Sequence, residues 1–198
     1  MDVLFIAPGN ARGIYQDLAE DYAAIEPPTW ALLLAQSCRA VGLDVHICDA
    51  NAERLNGAAV LDRVTKAKPR LICFVVYGQN VNAGTVNMAG AIYLADFLKD
   101  KGVDAPISLV GSHVQALPVQ TLQMESSIDF AFTNEGVYAL RNVLALESID
   151  PDSLSTVKGI VWRDGERVIM NPAEGVVPAE RMAEDLPGYA WDLLPCRE

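Results

Sequence analysis

"RLICFVVYG", Arg70–Gly78, is the strongest strand in the chain. Its apolar residues run unbroken instead of alternating, which suits a parallel strand covered on both faces. Parallel strands need crossover helices, and the sequence on either side supplies them. Upstream, Val3–Ala7 forms a first short strand that ends at Pro8 and Gly9. Pro27 and Pro28 then precede "TWALLLAQSCRAVG", a helix with Thr29 as its cap and Gly42 as its stop. "LDVHICD" is a second strand with Val45 and Ile47 on one face and His46 as a core or edge residue. Gly57–Ala67 is a second helix.

Downstream, Thr85 caps a helix running to Asp100, with Met88, Ile92, Ala95 and Leu98 toward the core. "APISLVG" is a fourth strand, Pro118 begins a short helix through Met124, and "IDFAFTNEG" is a fifth strand with its turn. "VYALRNVLAL" is a closing helix. This alternation predicts an α/β fold: an open, doubly wound, mostly parallel five-stranded sheet of flavodoxin-like order. "APGNARG" does not match G-x-G-x-x-G, so a dinucleotide site is disfavoured. After Ile149 the composition changes. "VKGIVWRDGERVIMNP" reads as a C-terminal β-hairpin turning at Asp164-Gly165, and the turn-rich remainder as an extended segment hugging the sheet. The expected division is an α/β domain over 1–149 and a hairpin extension and linker over 150–198.

Fifteen Lys and Arg against 26 Asp and Glu leave a formal charge of −11, which argues against a general nucleic-acid binder. No run reaches the length of a membrane span, and the N-terminus lacks a basic leader, so a cytoplasmic protein with no membrane partner is expected. Cys38, Cys48, Cys73 and Cys196 are widely spaced and form no C-x-x-C or Cys/His cluster, as for thiols in a reducing compartment. No catalytic acid–base pair, Ser/His/Asp arrangement or protein metal site can be assigned.

In an open α/β sheet the turns beyond the strand C-termini share one edge, where ligands bind. Four turns belong to it here: "PGNARG", "YGQNVNAG", "GSHVQ" and "TNEG". Pro8, Gly9 and Asn10 come from the first, Tyr77, Gly78, Gln79 and Asn80 from the second. Gly111, Ser112 and His113 come from the third, and Asn134, Glu135 and Gly136 from the fourth. The glycines permit close approach, and the uncharged amides and hydroxyls suit a large, amide-rich ligand.

With those turns in order, the chain resembles the N-terminal cobalamin-binding region of B12-dependent radical S-adenosylmethionine proteins. "PPTWALLLAQSCRAVGLDVHICDA", "VVYGQNVNAGTVNMAGA" and "LVGSHVQALPVQTL" carry the resemblance. Asn134-Glu135-Gly136 stands where the family commonly has Gly-Glu-Gly, and "DLPGYAWDLLP" resembles its exit segment. The resemblance implies cobalamin as the cofactor, with Tyr77, Gly78, Gln79, Gly111, Ser112 and His113 as leading contacts. Asn134, Glu135 and Gly136 are implied at the outer edge.

"PGNARG" lacks the Asp and His of D-x-H-x-x-G, so cobalt ligation by histidine from this turn is not expected. The C-x-x-x-C-x-x-C triad is absent, which assigns the [4Fe–4S] cluster and S-adenosylmethionine to a downstream radical domain, in cis or in trans. The chain is therefore expected to be a cofactor platform without turnover of its own, within a parent enzyme read as a methyltransferase. A regulatory or protein-interaction domain of flavodoxin-like fold that has lost cobalamin, and a small enzyme with another cofactor, are the competing expectations.

Overall fold

Leu71–Val76, β3, is buried along its whole length and lies third in one seven-stranded sheet. The computed structural model describes residues 1–9, 25–77 and 81–195. The elements are β1 (Val3–Ala7), α1 (Thr29–Arg39), β2 (Val45–Asp49), α2 (Gly57–Ala67), β3, α3 (Val81–Asp100), β4 (Ile107–Gly111), α4 (Ser112–Ala116), α5 (Pro118–Met124), β5 (Phe130–Phe132), α6 (Val137–Leu144), α7 (Pro151–Leu154), β6 (Ile160–Asp164) and β7 (Arg167–Met170). The sheet order is β2-β1-β3-β4-β5-β6-β7. The first five strands are parallel and follow the flavodoxin-like order, and β6 and β7 continue the sheet antiparallel.

Alternate side chains along the parallel strands feed two apolar layers. Val3 and Phe5 of β1, Cys73 and Val75 of β3, and Phe130 and Phe132 of β5 pack under α1 and α6. Leu4, Ile6, Ile72, Phe74, Val76 and Ala131 pack on the opposite face, under α2, α3, α4 and α5. Helices on both faces explain why β3 carries no polar face. Met88, Ala95 and Leu98 of α3 are buried and Ile92 is partly buried against them, as the helical spacing predicts. Val45 and Ile47 share the α1 layer, while His46 is exposed on the edge strand β2.

Local signals differ from the expectations in three places. Thr29 is the first helical residue of α1; Pro28 holds the cap position, and the Thr29 amide donates to the Pro27 carbonyl. α3 starts at Val81, so Thr85 lies inside the helix. The hairpin closes between Asp164 and Arg167, which puts Gly165 and Glu166 at its tip, one residue beyond the expected Asp164-Gly165. Gly165 has φ +57°, the backbone region a two-residue hairpin turn needs there.

The hairpin is locked to α7 by Asn171. Its amide oxygen accepts from Trp162 Nε1 at 2.9 Å, and its amide nitrogen donates to the Leu154 and Val157 carbonyls at 2.8 and 2.6 Å. Beyond it, residues 172–194 form a strap over α1 and α6. Asp185, 4% exposed, takes Arg141 Nη1 at 2.6 Å, Tyr138 Oη at 2.7 Å and Arg181 Nε at 3.1 Å. The Ala190 amide donates to the Leu32 carbonyl at 3.3 Å, and Arg39 holds Asp192 through both carboxylate oxygens. The strap lies against the sheet domain, as its composition suggested.

Among the described residues, no helix is long and apolar enough to cross a membrane.

Candidate functional site

Because β1 to β5 run parallel, their C-terminal ends deliver Pro8-Gly9, Asp49, Tyr77, Ser112-His113 and Thr133–Gly136 to one edge. The chain leaves β1 toward β2 on one side and leaves β3 toward β4 on the other, so the two crossovers diverge between β1 and β3. Diverging crossovers leave a crevice that no connection fills. Asn10, Gly78, Gln79 and Asn80 lie outside the described residues.

Close packing narrows the β4 side of this edge. Gly111 is extended, and a Cβ built there would overlap the Val76 carbonyl of β3. A Cβ on Gly84, in the first turns of α3, would overlap Ser112 Oγ. Two glycines thus let α3 and β3 close on the end of β4. The Ser112 hydroxyl oxygen is buried there with no hydrogen-bond partner among the described residues. A buried hydroxyl without a partner costs about 1–3 kcal/mol, a cost that a ligand acceptor or donor would remove. At the β1 end, Gly9 abuts the Asn51 side chain, and the Asn51 amide donates to the Ala7 carbonyl at 3.3 Å.

An aromatic wall closes the α1 side. Trp30, in the first turn of α1, meets Tyr77 with ring centroids 5.3 Å apart and planes tilted by 52°. Gln115 of α4 donates to the Tyr77 hydroxyl. Burial pushes the Tyr77 phenol up to about 12 despite that hydrogen bond, so it stays neutral and serves as a polar tip on an apolar face. His113 is half-buried toward α5: burial raises the Glu125 carboxyl, Asp96 adds to this, and His113 opposes it.

The β5 turn is engaged differently. Asn134 Nδ2 donates to the Glu174 carbonyl at 3.2 Å, and Asn134 Oδ1 accepts from the Gly136 amide at 2.9 Å. Glu135 Oε1 accepts from the Val177 amide at 2.6 Å, and the Glu135 carbonyl accepts from Trp30 Nε1 at 3.0 Å. Gly136 sits at φ +85°, a left-handed position that favours glycine. These three residues join the same edge, but their polar groups face the strap and α1. The structure thus gathers Pro8, Gly9, Tyr77, Gly111, Ser112 and the β5 turn, and adds Trp30, Asn51, Gly84 and Gln115. Trp30 could have been found from its position: a lone aromatic in the first turn of a helix that starts at the strand C-terminal edge.

Fold and crevice together define an α/β module of flavodoxin-like order with a crevice at the strand C-termini. The particular family follows from the sequence match: residues 15–144 match the B12 binding domain, and the chain belongs to that family. Cobalamin is the cofactor this membership assigns to the module.

Solved structures agree on the fold. The chain is similar to the radical S-adenosylmethionine methyltransferase TsrM from Kitasatospora setae, solved with tryptophan substrate and a SAM analog. That match has TM-score 0.64 and 15% identity over 86% of this chain and 30% of that one. It is also similar to the cobalamin-dependent S-adenosylmethionine radical enzyme OxsB with aqua-cobalamin bound, with TM-score 0.68 and 18% identity over 98% of this chain and 24% of that one. The chain therefore spans under a third of the length of either protein. No curated protein matches the sequence.

The residues present fit a corrin. The macrocycle holds its cobalt through its own ring nitrogens, so the protein has to supply shape, an apolar wall and amide-compatible polar groups. Trp30 and Tyr77 would supply the wall and Ser112 a hydroxyl, while Gly84 and Gly111 let the chain itself pack closely beside them. Among the described residues, no group of three His, Cys, Asp or Glu side chains could bind a metal ion directly.

Proposed function

We propose that this chain holds cobalamin across the crevice between β1, β3 and β4 as the cofactor module of a larger radical S-adenosylmethionine protein. The observation that carries the reading is the Ser112 hydroxyl, buried and unpartnered between two close-packed glycines at a ligand-binding edge. Pro8, Gly9, Tyr77, Gly111, Ser112 and His113 are the proposed contacts among the described residues. Asn10, Gly78, Gln79 and Asn80 are proposed from their place in the same turns, and Asn134, Glu135 and Gly136 form the outer rim. Residues 1–149 would form the binding unit and 150–198 the connection toward a radical domain, in cis or in trans.

Bound cobalamin supplies organometallic cobalt–carbon chemistry. The chain's own residues bind, orient and shield it: the aromatic pair excludes water from one side, and Ser112 fixes a polar group of the ligand. The whole protein's proposed reaction is methyl transfer, with cluster and S-adenosylmethionine held by the radical domain. Buried thiols at Cys38, Cys48 and Cys73, unpaired in disulfides, support a reducing, cytoplasmic setting.

The test is retention. Purified protein mixed with hydroxocobalamin and freed of excess ligand should carry about one corrin per chain, read from its visible spectrum and cobalt content. A protein that emerges colourless under both oxidising and reducing conditions defeats the reading and favours an interaction domain.

A further inference from the structure

We infer that Glu135 is a positioning residue that couples the aromatic wall of the crevice to the C-terminal strap; the ligand part of this inference rests on the cobalamin reading. Glu135 is held from two sides by two different parts of the molecule. Its carbonyl accepts the Trp30 indole N–H at 3.0 Å, and its carboxylate accepts the Val177 amide at 2.6 Å. Trp30 leans on Tyr77, and Tyr77 is hydrogen-bonded by Gln115. A continuous path therefore runs from α4 across the ends of β3, α1 and β5 into the strap.

The turn in the middle of this path is stiff. Gly136 is left-handed, and a Cβ there would stand 3.1 Å from Val110 Cγ2. Asn134 closes the turn on the Gly136 amide while gripping the Glu174 carbonyl. Movement of Trp30 thus cannot be absorbed locally; it passes to Val177. Beyond Val177 the strap is anchored again at Asp185 and Ala190. A ligand seated against Trp30 and Tyr77 consequently orders the strap, and by linkage an ordered strap favours the ligand. Like any such path, this one requires a coupling measurement.

The experiment follows amide hydrogen exchange at residues 174–178 and the indole N–H resonances of the three tryptophans. It compares the wild-type chain, Glu135→Ala, Glu135→Gln and Trp30→Phe, each with and without hydroxocobalamin. Without ligand, Glu135→Ala should speed Val177 exchange about tenfold or more, the size expected for losing a charge-assisted hydrogen bond. It should also shift the Trp30 indole resonance. Glu135→Gln keeps an acceptor oxygen and should stay within about threefold of wild type. Trp30→Phe leaves the Glu135 carboxylate and Val177 themselves unchanged, yet should also speed Val177 exchange severalfold. Hydroxocobalamin should slow Val177 exchange in the wild type and do so much less in Glu135→Ala and Trp30→Phe.

Unchanged Val177 exchange in Trp30→Phe overturns the coupling, as does equal slowing by ligand in all variants. If the wild type retains no corrin, the cobalamin reading fails together with the ligand part of the inference. The ligand-free comparison still decides whether Glu135 ties the wall to the strap.

Discussion

On the five parallel strands the only buried polar side chains are Asp49 and Ser108, whereas the strap over α1 and α6 adds ionised fastenings at Asp185 and Asp192 to the apolar contacts of Val177, Leu186, Ala190, Leu193 and Leu194. The sheet is stabilised by area removed from water, about 1.5–3 kcal/mol for each fully buried large apolar side chain. The strap depends on geometry: Asp185 collects two arginines and a phenol, and Glu135 collects an amide. Burial is insensitive to pH and forgiving of small shifts. Directed bonds are neither, so the strap can loosen under conditions that leave the sheet intact. The C-terminal edge, where the crevice lies, is where these two regimes meet.

The largest expected effect comes from breaking the burial side of this contrast. Phe74, fully buried between β3 and the α3 layer, should cost about 3–5 kcal/mol on replacement by alanine, read from denaturant unfolding. A loss below about 1 kcal/mol would show that the layer collapses around the cavity and that the sheet is less tightly packed than described.

Acid sharpens the contrast. Hydrogen bonds from Tyr138, Arg181 and Arg141 hold the Asp185 carboxyl well below the usual carboxylate range. A depressed folded pKa contributes stability that is complete above the unfolded value of about 4 and is lost as pH falls through the folded one. Asp49 behaves oppositely: burial raises its carboxyl, so its folded form favours protonation and gains on acidification. Amide protection, exchange corrected for its intrinsic pH dependence, should therefore fall in the strap before it falls in β1 or β3 between about pH 5 and pH 2. Asp185→Asn should remove most of that pH dependence. Simultaneous loosening of strap and sheet would refute the separation.

The smallest loss of stability is expected at the crevice. Ser112→Ala removes a buried hydroxyl without a partner among the described residues, so the fold should not lose stability and can gain up to about 1–3 kcal/mol. Cobalamin affinity should fall about tenfold, the value of one lost ligand hydrogen bond of about 1.4 kcal/mol. Affinity and stability falling together would reassign Ser112 to a packing role.

Much of the sheet could be read from the chain because local pattern and global burial agree there. β3 at Leu71–Val76 and α2 at Gly57–Ala67 fall where continuous apolar runs and turn residues placed them. The misses came where a local signal had competition. Thr29 looks like a cap, but Pro28 already fixes the entry to α1; Asp164-Gly165 looks like the tip of a turn, but cross-strand pairing shifts it by one residue. The site was half legible. Gly111 and Ser112 stood out as small residues after a strand, whereas the role of Glu135 depends on a partner 42 residues away and on Trp30, 105 residues away.

The sequence by itself determined the alternation of strand and helix, the parallel core and the turns that gather at one edge, because periodicity and apolar runs act over a few residues. Only the tertiary structure decided which polar groups at that edge are spent and which are left over. A hydrogen bond goes to whichever group the fold brings within about 3 Å, and chain order does not specify that group. Asn134 and Glu135 thereby became fastenings for the strap, and the Ser112 hydroxyl was left without a partner among the described residues.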